Sequence, residues 1–192
     1  MIVYTTSKDD RDLLGILELQ KRNLAKNLDR EEIRSQGFVT VSHRLEDLQK
    51  MNVIEQSVIA KETNTVIAYL IAMTEKSKFD IPVLIPMFEI FDKIQYEEKL
   101  LSEYHYMVVG QVCVDKEYRG KGVLDKCYDL YVNTFRPRYD FAVTEIASSN
   151  LRSLNAHRRI GFESIHEYVA PNQEQWAIVV LDWKKTKRNI HA

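Results

Sequence analysis

Only two cysteines occur in the 192 residues, Cys113 and Cys127. Both fall in apolar segments read as buried, so neither a disulfide framework nor a metal-ligand spacing is expected. Charge of one sign is not in excess either: 27 basic residues face 28 acidic ones. That balance argues against a surface tracking nucleic acid along its whole length. No apolar run approaches the length needed to span a bilayer. The opening MIVYTTSKDDRD has no basic n-region followed by an apolar stretch, so no signal peptide is read. Repeats and low-complexity linkers are missing. What is present is ordinary globular composition, 45% hydrophobic and 29% charged. We expect one domain over residues 1–183 with a charged tail over 184–192, in the cytoplasm, without metal, membrane or nucleic acid.

The periodicity predicts a mixed α/β chain. A strand covers Ile2–Thr5, and a helix starts near Asp9 with Leu13, Ile16, Leu17, Leu19 and Leu24 at helical spacing. A short helix over 28–35 takes Asp29 as N-cap with Glu32 three residues on. Gly37–Val41 is β-branched and strand-like, and Ser42 is read as the cap of a helix over 43–52. Strands at 57–61 and 66–73 flank a polar hairpin loop. Residues 74–104 carry Pro82 and Pro86 and are read as an insertion or lid with a helix over 87–94. A strand over 105–114 then leads into a helix over 121–135, whose stripe is Val123, Leu124, Cys127, Leu130, Tyr131 and Phe135. A strand at 141–147, a helix at 151–160 between Asn150 and Gly161, and strands at 162–169 and 175–183 complete the pattern.

The junction 114-VDKEYRGKGVLDK-126 is the densest chemical signal. Gly120 and Gly122 flank Lys121, with Arg119 just before, between an apolar strand and an amphipathic helix. A helix N-terminus presents unpaired N–H groups and partial positive charge, and glycines let a ligand reach the backbone. That is an anion site suited to phosphate. It is not a P-loop, which needs Gly-Lys-Ser/Thr after four residues, nor a dinucleotide fingerprint, which needs three glycines early in a βαβ unit.

About thirty residues later stands 150-NLRSLNAHRRIGFE-163. The turn and this segment together resemble the GCN5-related N-acetyltransferase (GNAT) superfamily. Its acetyl-CoA motif, Arg/Gln-x-x-Gly-x-Gly/Ala, reads here as 119-RGKGVL-124, with Leu124 at the final small position. Its second motif corresponds to Asn150, Ser153, His157, Gly161 and Phe162. The resemblance implies a mostly antiparallel mixed sheet of about seven strands flanked by helices, with the fourth and fifth strands splayed apart. It further implies acetyl-CoA as acyl donor. The amides of Arg119, Gly120, Lys121, Gly122, Val123 and Leu124 would cradle the pyrophosphate. The main chain of Val112, Cys113 and Val114 would pair with the pantetheine arm, in the manner of strand addition. Asn150 and Asn155 would add contacts from the second helix. Leu124 is compatible with this, because the backbone does the binding.

His157 stands where the family usually has a tyrosine that protonates the leaving thiolate. Histidine can donate a proton near neutral pH, or His157 can merely contact CoA or pack its helix. Glu145, an acid in an otherwise apolar strand beside the splay, is the favoured general base; the alternative is a solvent-facing or ion-paired carboxylate. Gln111, Tyr106 and His105 are further candidates, and Cys113 reads as a small buried residue rather than an acyl carrier. The acceptor, a small-molecule or peptide amine, should meet the N-terminal helices, residues 37–41 and the 74–104 segment. Phe79, Met87, Phe88 and Phe91 mix there with Asp80, Glu89 and Asp92; one reading is an aromatic and acidic wall for an amine with apolar character, and the favoured one takes the aromatics as core and the charges as solvent-facing. An acyl-CoA sensor of the same fold and a transferase of longer acyl groups are the competing functions. A homodimer is left open.

Overall fold

The computed structural model describes residues 1–79, 81–170 and 172–185. The expected tail therefore lies mostly outside the described residues, as does Asp80. Seven strands form one sheet: β1 (Ile2–Thr6), β2 (Val58–Glu62), β3 (Thr65–Met73), β4 (Tyr106–Val114), β5 (Phe141–Ala147), β6 (Glu163–Val169) and β7 (Gln175–Asp182). Their spatial order is β1-β2-β3-β4-β5-β7-β6. Every neighbouring pair is antiparallel except β4 and β5. Among the described residues six α-helices accompany them: α1 (Asp10–Asn23), α2 (Arg30–Gln36), α3 (Leu45–Ile54), α4 (Ile85–Phe91), α5 (Val123–Phe135) and α6 (Leu151–Ile160).

The middle of the sheet is buried on both faces, which is why β3 and β4 read as nearly continuous apolar runs. Tyr69, Ile71 and Met73 pack with α1, α3 and α4 on one face. Leu70 and Ala72 pack with α5 on the other. The 74–104 segment is tied into the first face: Ile81, Leu84, Met87, Phe88, Phe91, Ile94, Tyr96 and Leu101 are all buried members of that core. Glu89 and Asp92 face solvent, and Asp92 pairs with Lys78 at 3.3 Å. Phe79 is 76% exposed, so it contributes neither to the core nor to an aromatic wall.

Several sequence expectations shift here. Gly37–Val41 is not a strand of the sheet. Val39 makes an isolated bridge with Leu24, donating to Asn23 O at 3.0 Å and accepting from Ala25 N at 3.1 Å. The β-branched composition was satisfied by a short pairing with the end of α1. Ser42 is not a cap: α3 starts at Leu45, and the Asp47 carboxylate accepts from Arg44 N at 3.0 Å. The helix expected over 87–94 runs Ile85–Phe91, because Pro86 sits in the first turn, where its missing N–H costs nothing. A two-stranded ribbon, Gln95–Tyr96 with Lys99–Leu100, follows it. In α5 the buried stripe is Val123, Cys127, Tyr128, Tyr131, Val132 and Phe135, while Leu124 and Leu130 are only partly buried against it.

Two irregularities open the sheet where the site lies. Between Leu70–Val112 and Ala72–Val109, two residues of β4 oppose one of β3, a bulge at Gly110 and Gln111. The β4–β5 ladder contains only Tyr106–Phe141, Met107–Ala142 and Val108–Val143. Beyond it the strands run on without pairing to each other. Only the Thr144 hydroxyl still reaches across, donating to Val109 O at 2.8 Å.

Candidate functional site

The turn after β4 is shaped by its glycines. Gly120 and Gly122 have φ of +73° and +75°, the left-handed region that other L-residues adopt at a cost. Nothing lies within 4 Å of where a Cβ would stand at either position, so backbone conformation, rather than crowding by the protein, demands glycine. Gly122 is the N-cap of α5 and offers no side-chain cap, which leaves the first amides of that helix to a ligand. The turn is anchored from outside. Tyr118 donates to Glu62 Oε2 at 2.5 Å, and Asp115 O accepts from Tyr118 N at 2.9 Å.

The Arg119 side chain is turned back into the protein. Nε donates to Val114 O at 2.9 Å, Nη2 to Asn23 Oδ1 at 2.7 Å, and Nη1 to Gln36 O and Oε1 at 3.3 Å. One guanidinium thus binds the end of β4, the end of α1 and the end of α2. Its planar fork suits such a junction. Lys121 is exposed, with its ammonium 5.6 Å from the Tyr118 ring centre.

Beside the turn lies a cavity of about 560 Å³. Val112, Cys113, Val114, Arg119, Gly120, Gly122, Val123 and Leu124 line it from β4, the turn and α5; Asn150 and His157 line it from α6. Lys121 and Asn155 do not. Asn155 is exposed and accepts from Arg158 at 3.4 Å, because the helical period sets it away from Asn150, Ser153 and His157. Leu124 is part of the cavity wall as well as of the packing. Cys113 is buried, and burial pushes its thiol up to about 12, which leaves no thiolate for acyl transfer through sulfur.

A second cavity, of about 440 Å³, opens on the β5 side of the gap. Phe38, Val39, Val112, Asn150, Ser153 and His157 line both cavities and form their junction. The extended segment through Phe38 crosses this junction, held by Asn150 Nδ2, which donates to Phe38 O at 3.0 Å. Asn150 Oδ1 meanwhile accepts from Ser153 N at 3.2 Å as the cap of α6. One side chain therefore serves helix and strap together.

Glu145 stands in the second cavity. Burial raises its carboxyl to about 7, against a lowering by the Tyr168 hydroxyl, which donates to Oε2 at 2.5 Å. A carboxylate poised near neutrality is suited to general-base work. His157 is arranged differently. It is 3% exposed, and burial holds it down at about 4. Its Nδ1 lies 2.8 Å from Ser153 O and its Nε2 2.8 Å from Tyr128 Oη. A carbonyl only accepts, so Nδ1 carries the proton and Nε2 accepts from the tyrosine. This is the geometry of a neutral packing histidine, set edge-on to Tyr128 and Phe162. It does not support an imidazolium acid at neutral pH.

The remaining candidates stand aside. The Gln111 side chain accepts from Gln20 at 2.7 Å and from Tyr69 at 2.6 Å and donates to Val41 O at 2.9 Å, so it fastens the strap and is not free for an acceptor. Tyr106 packs against Phe91 and Phe141 at the far end of β4, and His105 bonds Arg138 O there; neither is among the residues lining these two cavities. Sequence reasoning missed three participants. Gly110 was a bulge signal inside a strand. Tyr128 fitted the stripe with Leu124, Tyr131 and Phe135. Tyr168 gave no local sign of its reach to Glu145. Among the described residues, none from α1 or α2 lines the second cavity; residues 38–42 with Ile81, Leu84 and Met87 supply that wall.

Among the described residues no helix is long and apolar enough to cross a membrane. No curated protein matches the sequence. Solved structures match the fold. The NatC complex bound to Gag peptide and CoA matches at TM-score 0.63 and 15% identity, over 94% of this chain and 98% of that one. The ribosomal-protein-S18-alanine N-acetyltransferase from Escherichia coli matches at TM-score 0.61 and 12% identity, over 100% of both chains. Naa50 from Arabidopsis thaliana, in complex with the bisubstrate analogue CoA-Ac-MVNAL, matches at TM-score 0.59 and 8% identity, over 95% of this chain and 99% of that one. The family model for the acetyltransferase (GNAT) family matches residues 26–162, and with the sheet order and the turn described above, the chain belongs to that family.

Proposed function

We propose that this protein is an acetyl-CoA-dependent N-acetyltransferase acting on a primary amine by direct attack. The observation that carries this reading is the meeting of two cavities at the unpaired ends of β4 and β5, with Glu145 on one side and the glycine turn on the other. The turn fits a pyrophosphate: its glycines hold left-handed backbone, its amides are uncapped, and the space beside them is open. Acetyl-CoA would supply an activated thioester, and the family to which the chain belongs is consistent with that donor.

The roles of the chain's own residues then follow. Amides from Arg119 to Leu124 hold the pyrophosphate, and the unpaired edge of β4 near Val112 to Val114 receives the pantetheine arm. Arg119 fixes the turn against α1 and α2 through its side chain. Glu145 accepts the proton that the amine must lose before its nitrogen lone pair can attack. A new N–C bond forms as the C–S bond breaks, the sulfur leaves with the bonding pair, and the second nitrogen proton, lost after attack, passes through solvent to the departing thiolate. Asn150 and the strap at Phe38 keep cofactor and acceptor on opposite sides of the junction. NatC with Gag peptide and CoA, and Naa50 with its bisubstrate analogue, are neighbours in fold that hold both partners, and this supports a ternary arrangement.

The test is calorimetric titration with acetyl-CoA followed by an amine panel read by CoA release. Saturable binding and amine-dependent release are expected. Binding without release for any amine would instead identify an acyl-CoA sensor, and faster release from longer acyl-CoA donors would reassign the acyl group.

A further inference from the structure

The two cavities differ in charge. Arg119, Arg152 and Arg159 line the one beside the turn. The one beside Glu145 has two carboxylates, Glu145 and Glu174, and no lysine or arginine among its described lining residues. Phe38 and Trp176 are its aromatic lining residues, and the segment after β3 supplies an aliphatic and thioether wall of Ile81, Leu84 and Met87. All three are at most 7% exposed and belong to the core, so the wall is fixed by packing.

Resting on the N-acetyltransferase reading, we propose the acceptor's class: a primary amine borne beside an apolar group of leucine or methionine size, without a carboxylate next to the amine. The protonated amine is drawn to the carboxylates, where Glu145 can take its proton. Each methylene placed against an apolar wall changes selectivity by about 10-fold or more. Once Glu145 is ionised, an acid next to the amine would meet it and Glu174 as like charges, with no lysine or arginine in the described lining to offset them. A free alkylamine and the first residue of a polypeptide share this chemistry.

The experiment uses the full chain with isoamylamine, leucinamide, glycinamide, free leucine and a pentapeptide beginning with leucine. Amine binding is measured by calorimetry in the presence of CoA, and CoA release is measured separately with acetyl-CoA. Leucinamide should bind about 10-fold or more tighter than glycinamide and than free leucine. Leu84→Ala should shrink the leucinamide preference several-fold while leaving acetyl-CoA affinity unchanged. Glu174→Gln, which leaves the apolar wall intact, should let free leucine bind closer to leucinamide. Equal binding of leucinamide and glycinamide, or of leucinamide and free leucine, overturns the proposal. If the binding preference stands but no amine releases CoA, the acceptor class survives and the transferase reading fails. Comparison of the pentapeptide with isoamylamine separates a polypeptide terminus from a small amine as the source.

Discussion

Tyr168 reaches across the intervening strand β7 and donates its hydroxyl to Glu145 Oε2 at 2.5 Å. That bond favours the charged carboxylate, while burial opposes it, and the balance leaves Glu145 at about 7. The rate should therefore rise with pH as Glu145 ionises through about 7. Glu145→Gln should abolish this limb and lower kcat by roughly 10²- to 10⁴-fold. Tyr168→Phe removes the favourable bond and should move the limb to higher pH. A pH–kcat/KM profile of the three proteins checks all of this. The same group affects folding: its folded value lies above the ordinary 4.5, so the native state holds the extra proton and stability falls as the pH rises from about 4.5 to about 7.

His157 should be silent in the rate profile near neutrality. Its folded value of about 4 lies below the ordinary 6.5, so the unfolded chain binds the proton first. Stability contributed by the neutral ring is complete above about 6.5 and is lost as the pH falls towards about 4. His157→Phe leaves the Tyr128 hydroxyl and the Ser153 carbonyl without this partner and should cost about 1–3 kcal/mol. Urea unfolding at pH 7.5 and pH 5 measures both effects, and an activity profile that still rises through about 7 accompanies them.

Gly122→Ala separates folding from binding. The left-handed backbone alone should cost about 1–2 kcal/mol, since the added methyl meets nothing in the protein. Acetyl-CoA affinity should fall by more than that strain implies, because the methyl projects beside amides meant for the ligand. Thermal unfolding compared with calorimetric titration reads the two quantities.

Arg119→Lys should not behave as a conservative change. Lysine cannot reproduce the fork that joins Val114, Asn23 and Gln36. A loss of about 2 kcal/mol is expected, with Arg119→Ala similar. Amide hydrogen exchange should then show the α2 end and the strap exchanging faster than the core of the sheet.

The motif-bearing half of the chain was legible because its signals are local. Strand, glycine turn and helix follow one another within thirty residues, and Asn150 and Gly161 mark the ends of α6 by cap chemistry alone. Residues 37–42 and 74–104 were harder. The strap is β-branched, yet its partners are the end of α1 and the side chains of Asn150 and Gln111, all distant in sequence. In the 74–104 segment, helix, ribbon and turns are each too short for a period to emerge, and the apolar residues are ordered by a core built from the rest of the chain.

By itself, the sequence determined the element order from residue 105 onward, the glycine turn at Gly120 and Gly122, and the cap at Asn150. These depend on backbone preferences and on neighbours within a few residues. Only the tertiary structure decided what Arg119, His157 and Glu145 do. Arg119 spends its guanidinium on Asn23 and Gln36, far away in sequence, as well as on the nearby Val114 carbonyl. His157 is neutral because α5 and α6 bury it against Tyr128. Glu145 is poised near 7 because the sheet opens beside it and Tyr168 arrives from two strands away. Burial and long-range hydrogen bonds set a charge state, and neither is written in the residues next to the group they govern.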